Sequence, residues 1–116
     1  MLINLLVVTL LMVVNLGIQV IAVTILLSYF INRIGTDAFR PTISNDAKVL
    51  SVVMAVLMAG HAFMFATWAG LFLFIGEFDD FATAFYHSTV NFTSLGYGDI
   101  VMSEEYRLLG ALEAAN

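Results

Sequence analysis

The chain has no cysteine. Disulfides are therefore excluded, and thiolate metal sites with them. Charge is scarce as well: Asp, Glu, Lys and Arg make up 11% of the 116 residues, against 61% hydrophobic residues and a mean hydropathy of +0.98. A soluble domain this small could not hide so much apolar surface from water, so the composition selects the membrane class. The net charge is −5, but no block of like charge resembles a nucleic-acid-binding arm, and no nucleic-acid partner is expected. An arginine-rich helix is missing too, which excludes a voltage sensor of that kind. His61 and His87 fall in different elements, with no nucleophile–base spacing or metal-ligand cluster around either, so an enzyme reading is poor. No covalent cofactor is implied.

Residues 1–32 contain no Asp, Glu, Lys, Arg or His. A bilayer core needs about 20 helical residues, so this run predicts a spanning helix with some length left over. It lacks a basic leading region, its apolar core is too long, and no small-residue cleavage site follows, all of which argue against a signal peptide. Asn4, Asn15 and Gln19 share one helical face, and a polar stripe in lipid should face protein, as a helix contact rather than a pore lining. Residues 33–48, "RIGTDAFRPTISNDAK", hold the only proline, Pro41, and three of the four basic residues, Arg33, Arg40 and Lys48. By the positive-inside rule this loop is cytoplasmic.

A second apolar run covers 49–76, with His61 near its middle. His61 is read as a neutral packing residue with a hydrogen bond, and Ala62, Ala66 and Gly70 as a small-residue stripe that lets helices approach closely. From Glu77 onward the chain turns acidic: Glu77, Asp79, Asp80, Asp99, Glu104 and Glu105. One span after a cytoplasmic loop, segment 77–106 and the N-terminus fall on the extracytoplasmic side. Residues 80–92, "DFATAFYHSTVNF", suit a short helix capped by Asp79 or Asp80. At about 20 Å it cannot cross a bilayer, but it fits a re-entrant segment enclosed by protein. Ser103 is the expected N-cap of a third helix over 104–116, with Glu104 and Glu105 in its first turn. That helix is too short to span, and the chain is expected to stop partway through it.

Between the two short helices lies "NFTSLGYGDI", residues 91–100. A dehydrated cation needs oxygens in place of its hydration shell, and backbone carbonyls serve if successive residues aim them one way. A strand alternates them. Aligning them needs unusual dihedrals at alternate positions, which glycine reaches cheaply, and Gly96 and Gly98 have that spacing. The preceding helix would aim its negative C-terminal end at the pore axis.

"TSLGYGD", Thr93 to Asp99, resembles the selectivity filter of potassium channels, which reads TVGYG. The closest likeness is to small prokaryotic two-transmembrane-type ion-channel proteins, many of which carry TTLGYGDI. "GHAFMFATWAGLF" followed by "FYHSTVNFTSLGYGDI" is similar to that group, and the likeness covers roughly residues 50–116. The resemblance implies that Ser94, Leu95, Gly96 and Tyr97 supply the carbonyls that bind K+, with the Ser94 hydroxyl at the inner mouth and Gly98 at the outer one. Thr93 would pack at the end of the pore helix, and Asp99 would brace the filter from behind. Tyr86 and His87 stand where an aromatic cuff usually carries two tryptophans; Tyr86 could donate to Asp99, and His87 could reach Tyr97 of a neighbour. Leu95 replaces a commoner valine, Ser94 a threonine, and Val90 the glutamate that often pairs with the aspartate. One loop per chain implies a homotetramer.

The expected architecture is an all-α membrane protein. Residues 1–48 form a first spanning helix and a basic cytoplasmic loop; residues 49–116 form a pore domain. The latter comprises an outer helix (49–76), a pore helix (80–92), the filter (93–99) and the start of an inner helix (104–116). The expected location is the cell (inner) membrane, the expected partners lipid and potassium ions, and the expected function passive, K+-selective conduction. A non-conducting pore-like scaffold and a weakly selective cation channel are the competing readings.

Overall fold

The structure, a computed structural model, describes the backbone of residues 2–34 and 42–116 and the side chains of residues 6–34 and 42–116. The described elements are all helical: α1 (Leu2–Arg33), α2 (Ile43–Phe74), α3 (Phe81–Phe92) and α4 (Arg107–Ala114). α1 and α2 are both long and apolar enough to cross a membrane.

Among the described side chains of α1, the buried ones are Val8, Asn15, Ala22 and Leu26. The seven-residue steps from Val8 to Ala22 are those of a narrow helix–helix seam. Around that seam Leu6, Leu10, Val13, Leu16, Val20, Ile21 and Ile25 are exposed. In water such a surface would collapse or aggregate, whereas in hydrocarbon it costs nothing to expose. The helix is therefore stable as a spanning segment, and the protein is a membrane protein. At its end Arg33 lies 5.4 Å from the Tyr29 ring centroid, where a cation suits both the ring face and the helix dipole.

α2 starts earlier than the apolar run suggests. Thr42 is its N-cap and accepts from the Asn45 N–H at 3.3 Å, so residues 43–48 of the expected loop are helical. Arg40 and Pro41 of that loop lie outside the described residues, as does the side chain of Asn4. α2 closes with the Gly76 N–H on the Leu73 carbonyl and the Glu77 N–H on the Phe72 carbonyl. This hydrogen-bonded close needs a left-handed residue, and Gly76 supplies it at φ +76°.

The polar stripe of α1 meets α2, as a helix contact. Asn15 is fully buried; its Oδ1 accepts from Thr67 Oγ1 at 2.7 Å and its Nδ2 donates to Asn116 Oδ1 at 2.8 Å. Trp68 Nε1 donates to the same Asn116 oxygen at 3.2 Å, and Gln19 reaches Met64. The small-residue approach lies elsewhere than expected. A Cβ built on Gly60 would come within 3.5 Å of Ala22, whereas Ala62 and Gly70 are exposed. Gly60 thus gives the close α1–α2 crossing. His61 stacks on Phe65 and tilts against Phe92, with ring centroids 6.4 and 5.1 Å apart. Among the described residues it makes these ring contacts and no hydrogen bond, which corrects the expected hydrogen-bonded role.

The core gathers at the end of α2 that carries Trp68, Ala69, Leu71 and Phe72, against Ala84 of α3, Met102, and Leu109 of α4. α2 thereby packs against both α1 and α3, and α3 packs against α4.

Candidate functional site

α3 is held at both ends by short-range chemistry. Asp80 caps its start: the carboxylate accepts the Thr83 N–H at 2.9 Å and the Thr83 hydroxyl at 2.6 Å. Those two bonds hold the Asp80 carboxyl below its ordinary value of 3.8. At the other end Thr93 is the C-cap, and its hydroxyl turns back onto the Thr89 carbonyl at 2.8 Å. The Ser94 N–H then bonds the Asn91 carbonyl at 3.0 Å and the Leu95 N–H bonds the Val90 carbonyl at 3.1 Å. This pair is a Schellman close, with Ser94 in the left-handed position where glycine is usual.

The same close starts a regular alternation. Ser94, Gly96 and Gly98 have φ of +56°, +56° and +71°, and Leu95 and Tyr97 between them do not share the positive sign. Left-handed residues at every second position turn successive peptide planes, so carbonyls that would alternate in a strand can lie to one side. Glycine takes this form freely; for Ser94 it costs about 1–2 kcal/mol, offset by the two hydrogen bonds that close α3. The sequence identified the two glycines but not Ser94 as the third such residue.

Residues 93–99 are exposed in the single chain, Leu95 and Tyr97 at 53% and 66%. Behind them stands an ordered support. The Tyr86 hydroxyl donates to Asp99 Oδ2 at 2.8 Å, a bond that raises the Tyr86 phenol above its ordinary 10.0 and keeps it a donor through neutral pH. Tyr86 and Asp99 are thus brought together, although Val90 occupies the position of the usual glutamate.

His87 turns inward, towards its own chain. It lies against Phe72 and Phe78, with ring centroids at 5.7 and 5.1 Å, and its Nδ1 is 3.3 Å from the Ile100 carbonyl. It therefore steadies the loop just past Asp99, whereas the expectation had it reaching Tyr97 of a neighbour. Burial pushes the His87 imidazole below its ordinary 6.5, against the opposing pull of the Ile100 carbonyl and Glu77.

Ser103 does not cap the last helix. The Glu77 carboxylate accepts its N–H and, at 2.8 Å, its hydroxyl, pinning the segment before α4 to the end of α2. α4 begins at Arg107, with Tyr106 at its N-cap and no side-chain cap bond. Glu104 instead pairs with Arg107 at 3.1 Å on the surface. Asn116 and Glu113 were not singled out from the sequence, and Glu77 was read only as one of the acids that follow the second apolar run. The available signal was a lone carboxylate in the apolar run "LLGALEAA". A cavity of about 550 Å³ lies between α3, the loop and α4, lined by Val90, Asn91, Gly96, Gly98 and Met102 among others. Among the described residues no cluster of His, Cys, Asp or Glu could hold a metal ion.

The family model described as an ion channel matches residues 52–115, which contain α3, the loop, α4 and most of α2. No curated protein and no solved structure matches the chain.

Proposed function

The chain belongs to the ion channel family, and on that premise we propose that it conducts potassium selectively through a filter formed by Thr93–Asp99. The observation that carries this reading is the alternation of positive φ at Ser94, Gly96 and Gly98, directly after the short helix α3. In this reading the carbonyls of Ser94, Leu95, Gly96 and Tyr97 replace the hydration shell of K+. Thr93 terminates the pore helix, Gly98 opens the outer mouth, and the Tyr86–Asp99 bond braces the loop. One loop surrounds nothing, and its exposed Leu95 and Tyr97 require cover, so the working unit is a homotetramer with four loops around one axis. Potassium is the transported ion and no cofactor takes part; ions move passively down their gradient.

The deciding experiment is flux in liposomes reconstituted with the full-length protein, K+ against Na+. Potassium flux well above sodium flux is the expected result. Equal fluxes would replace this reading with a weakly selective cation pore, and no flux from a verified tetramer with a non-conducting scaffold.

The membrane is the cell (inner) membrane, with residues 33–48 cytoplasmic and the N-terminus and residues 77–106 outside, supported by the basic loop and the acidic segment. Because the chain has no cysteine, Asp79→Cys places a single thiol at an exposed position. Labelling of intact cells by an impermeant thiol reagent is expected, and labelling only after lysis would reverse the orientation.

External pH should act through His87. Its folded-state pKa is depressed, so the buried neutral ring contributes fully above 6.5, and that contribution is lost as pH falls from there through the folded value. Potassium flux is therefore expected to decline below about pH 6.5. His87→Phe should flatten that decline; an unchanged pH profile would remove His87 from this role.

A further inference from the structure

Glu113 is 2% exposed on α4, yet it carries a carboxylate. Its Oε1 accepts the hydroxyl of Ser88, and its Oε2 accepts Asn91 Nδ2 at 2.7 Å. The second hydrogen of the same Asn91 amide goes to the Gly110 carbonyl, also at 2.7 Å. Ser88 and Asn91 are one turn apart on α3, so the two carboxylate oxygens grip one face of the pore helix. Gly110 permits the approach: a Cβ there would come within 3.0 Å of Met102 Sδ and 3.6 Å of Asn91 Nδ2.

This arrangement is costly for mere cohesion. Burying a carboxylate without a cation is unfavourable, and an apolar side chain of similar size would pack α4 against α3 at lower cost. The nearest basic side chain on its helix, Arg107, is engaged with Glu104 at the surface. What the carboxylate offers is two acceptors at a fixed separation. Asn91 is also the residue whose carbonyl receives the Ser94 N–H at 3.0 Å. Glu113 is thus linked to the first residue of the left-handed alternation through a single intervening residue.

We propose that Glu113 is a positioning residue for conduction, fixing the end of the pore helix to α4 through Ser88 and Asn91 and so setting the place of Ser94 and the loop that follows. The proposal rests on the reading of Thr93–Asp99 as a filter, but its test does not depend on conduction. Amide hydrogen exchange would be followed in the reconstituted full-length protein for Glu113→Leu, Glu113→Gln and Ser88→Ala. Glu113→Leu should raise exchange at residues 94–98 by about tenfold, as expected for leaving the buried Ser88 and Asn91 donors unpaired, with α1 and α2 unchanged. Glu113→Gln should remain within about twofold of native, since its amide can accept from Asn91 and donate to the Ser88 oxygen. Native-like exchange in Glu113→Leu, loosening spread evenly over all helices, or a Glu113→Gln as damaged as Glu113→Leu would overturn the proposal. Should Glu113→Leu fail to assemble, Ser88→Ala decides: faster exchange at 94–98 supports the link and native exchange ends it. Potassium and sodium fluxes of the native protein, measured alongside, test the filter reading separately. If the native protein is selective, the K+/Na+ ratio of Glu113→Leu should drop about tenfold.

Discussion

Gly96→Ala should abolish potassium flux while leaving the protein assembled. The residue sits at φ +56°, and a Cβ built there meets only the Ser94 carbonyl oxygen, at 3.9 Å. The substitution therefore introduces no clash within the chain, and the cost is conformational. An L-residue held in the left-handed region costs about 1–2 kcal/mol in each chain. The loop can relieve that strain only by leaving the positive-φ region, which rotates the adjoining peptide planes and re-aims their carbonyls. In the filter reading proposed above, flux depends on that aim and fails first; the helices do not depend on it and persist. Gly70→Ala is the matched control. Gly70 is an exposed glycine within α2 with nothing within 4 Å of a built Cβ, and its substitution should leave flux unchanged. Native potassium flux in Gly96→Ala would mean that ions do not pass along residues 94–98.

The second large effect is on stability. Phe72 is fully buried and touches Trp68, Phe78 and His87, with ring centroids 5.9, 6.0 and 5.7 Å away. It joins the end of α2 to α3 and to the turn between them. Phe72→Ala should cost about 3–5 kcal/mol, because the surrounding rings collapse only partly into the space. In a membrane little of that cost is transfer from water; most is lost dispersion contact, the main force that holds such helices together. Reversible unfolding of the purified protein in a denaturing detergent would measure it. A loss under about 1 kcal/mol would show that α3 is anchored elsewhere, by the contacts of His61 and Phe65 with Phe92 and by the Glu113–Asn91 bond. The same substitution should loosen His87 and bring its titration closer to the ordinary value, since burial is the main cause of its depression.

Much of this architecture was legible because it is local. The two spans follow from unbroken apolar length, and the start of α3 from the Asp80 cap a few residues from Thr83. The glycine alternation was readable for the same reason, since backbone freedom belongs to the residue itself. The Tyr86–Asp99 bond was expected from the likeness to channel filters and not from the residues alone.

What the sequence could not decide were the choices made by distant partners. Ser103 looks like a helix cap and is one by type, but Glu77, 26 residues earlier, accepts both of its donors. The small-residue stripe at Ala62, Ala66 and Gly70 satisfies a packing pattern, yet Gly60 is the residue that meets α1, because the crossing point is set by where Asn15 finds Thr67. Glu113 reads as one more acid until the fold places it under Ser88 and Asn91. Period, length and caps are written in consecutive residues. Which polar group satisfies which is settled only when packed helices exclude every other partner, and that belongs to the tertiary structure alone.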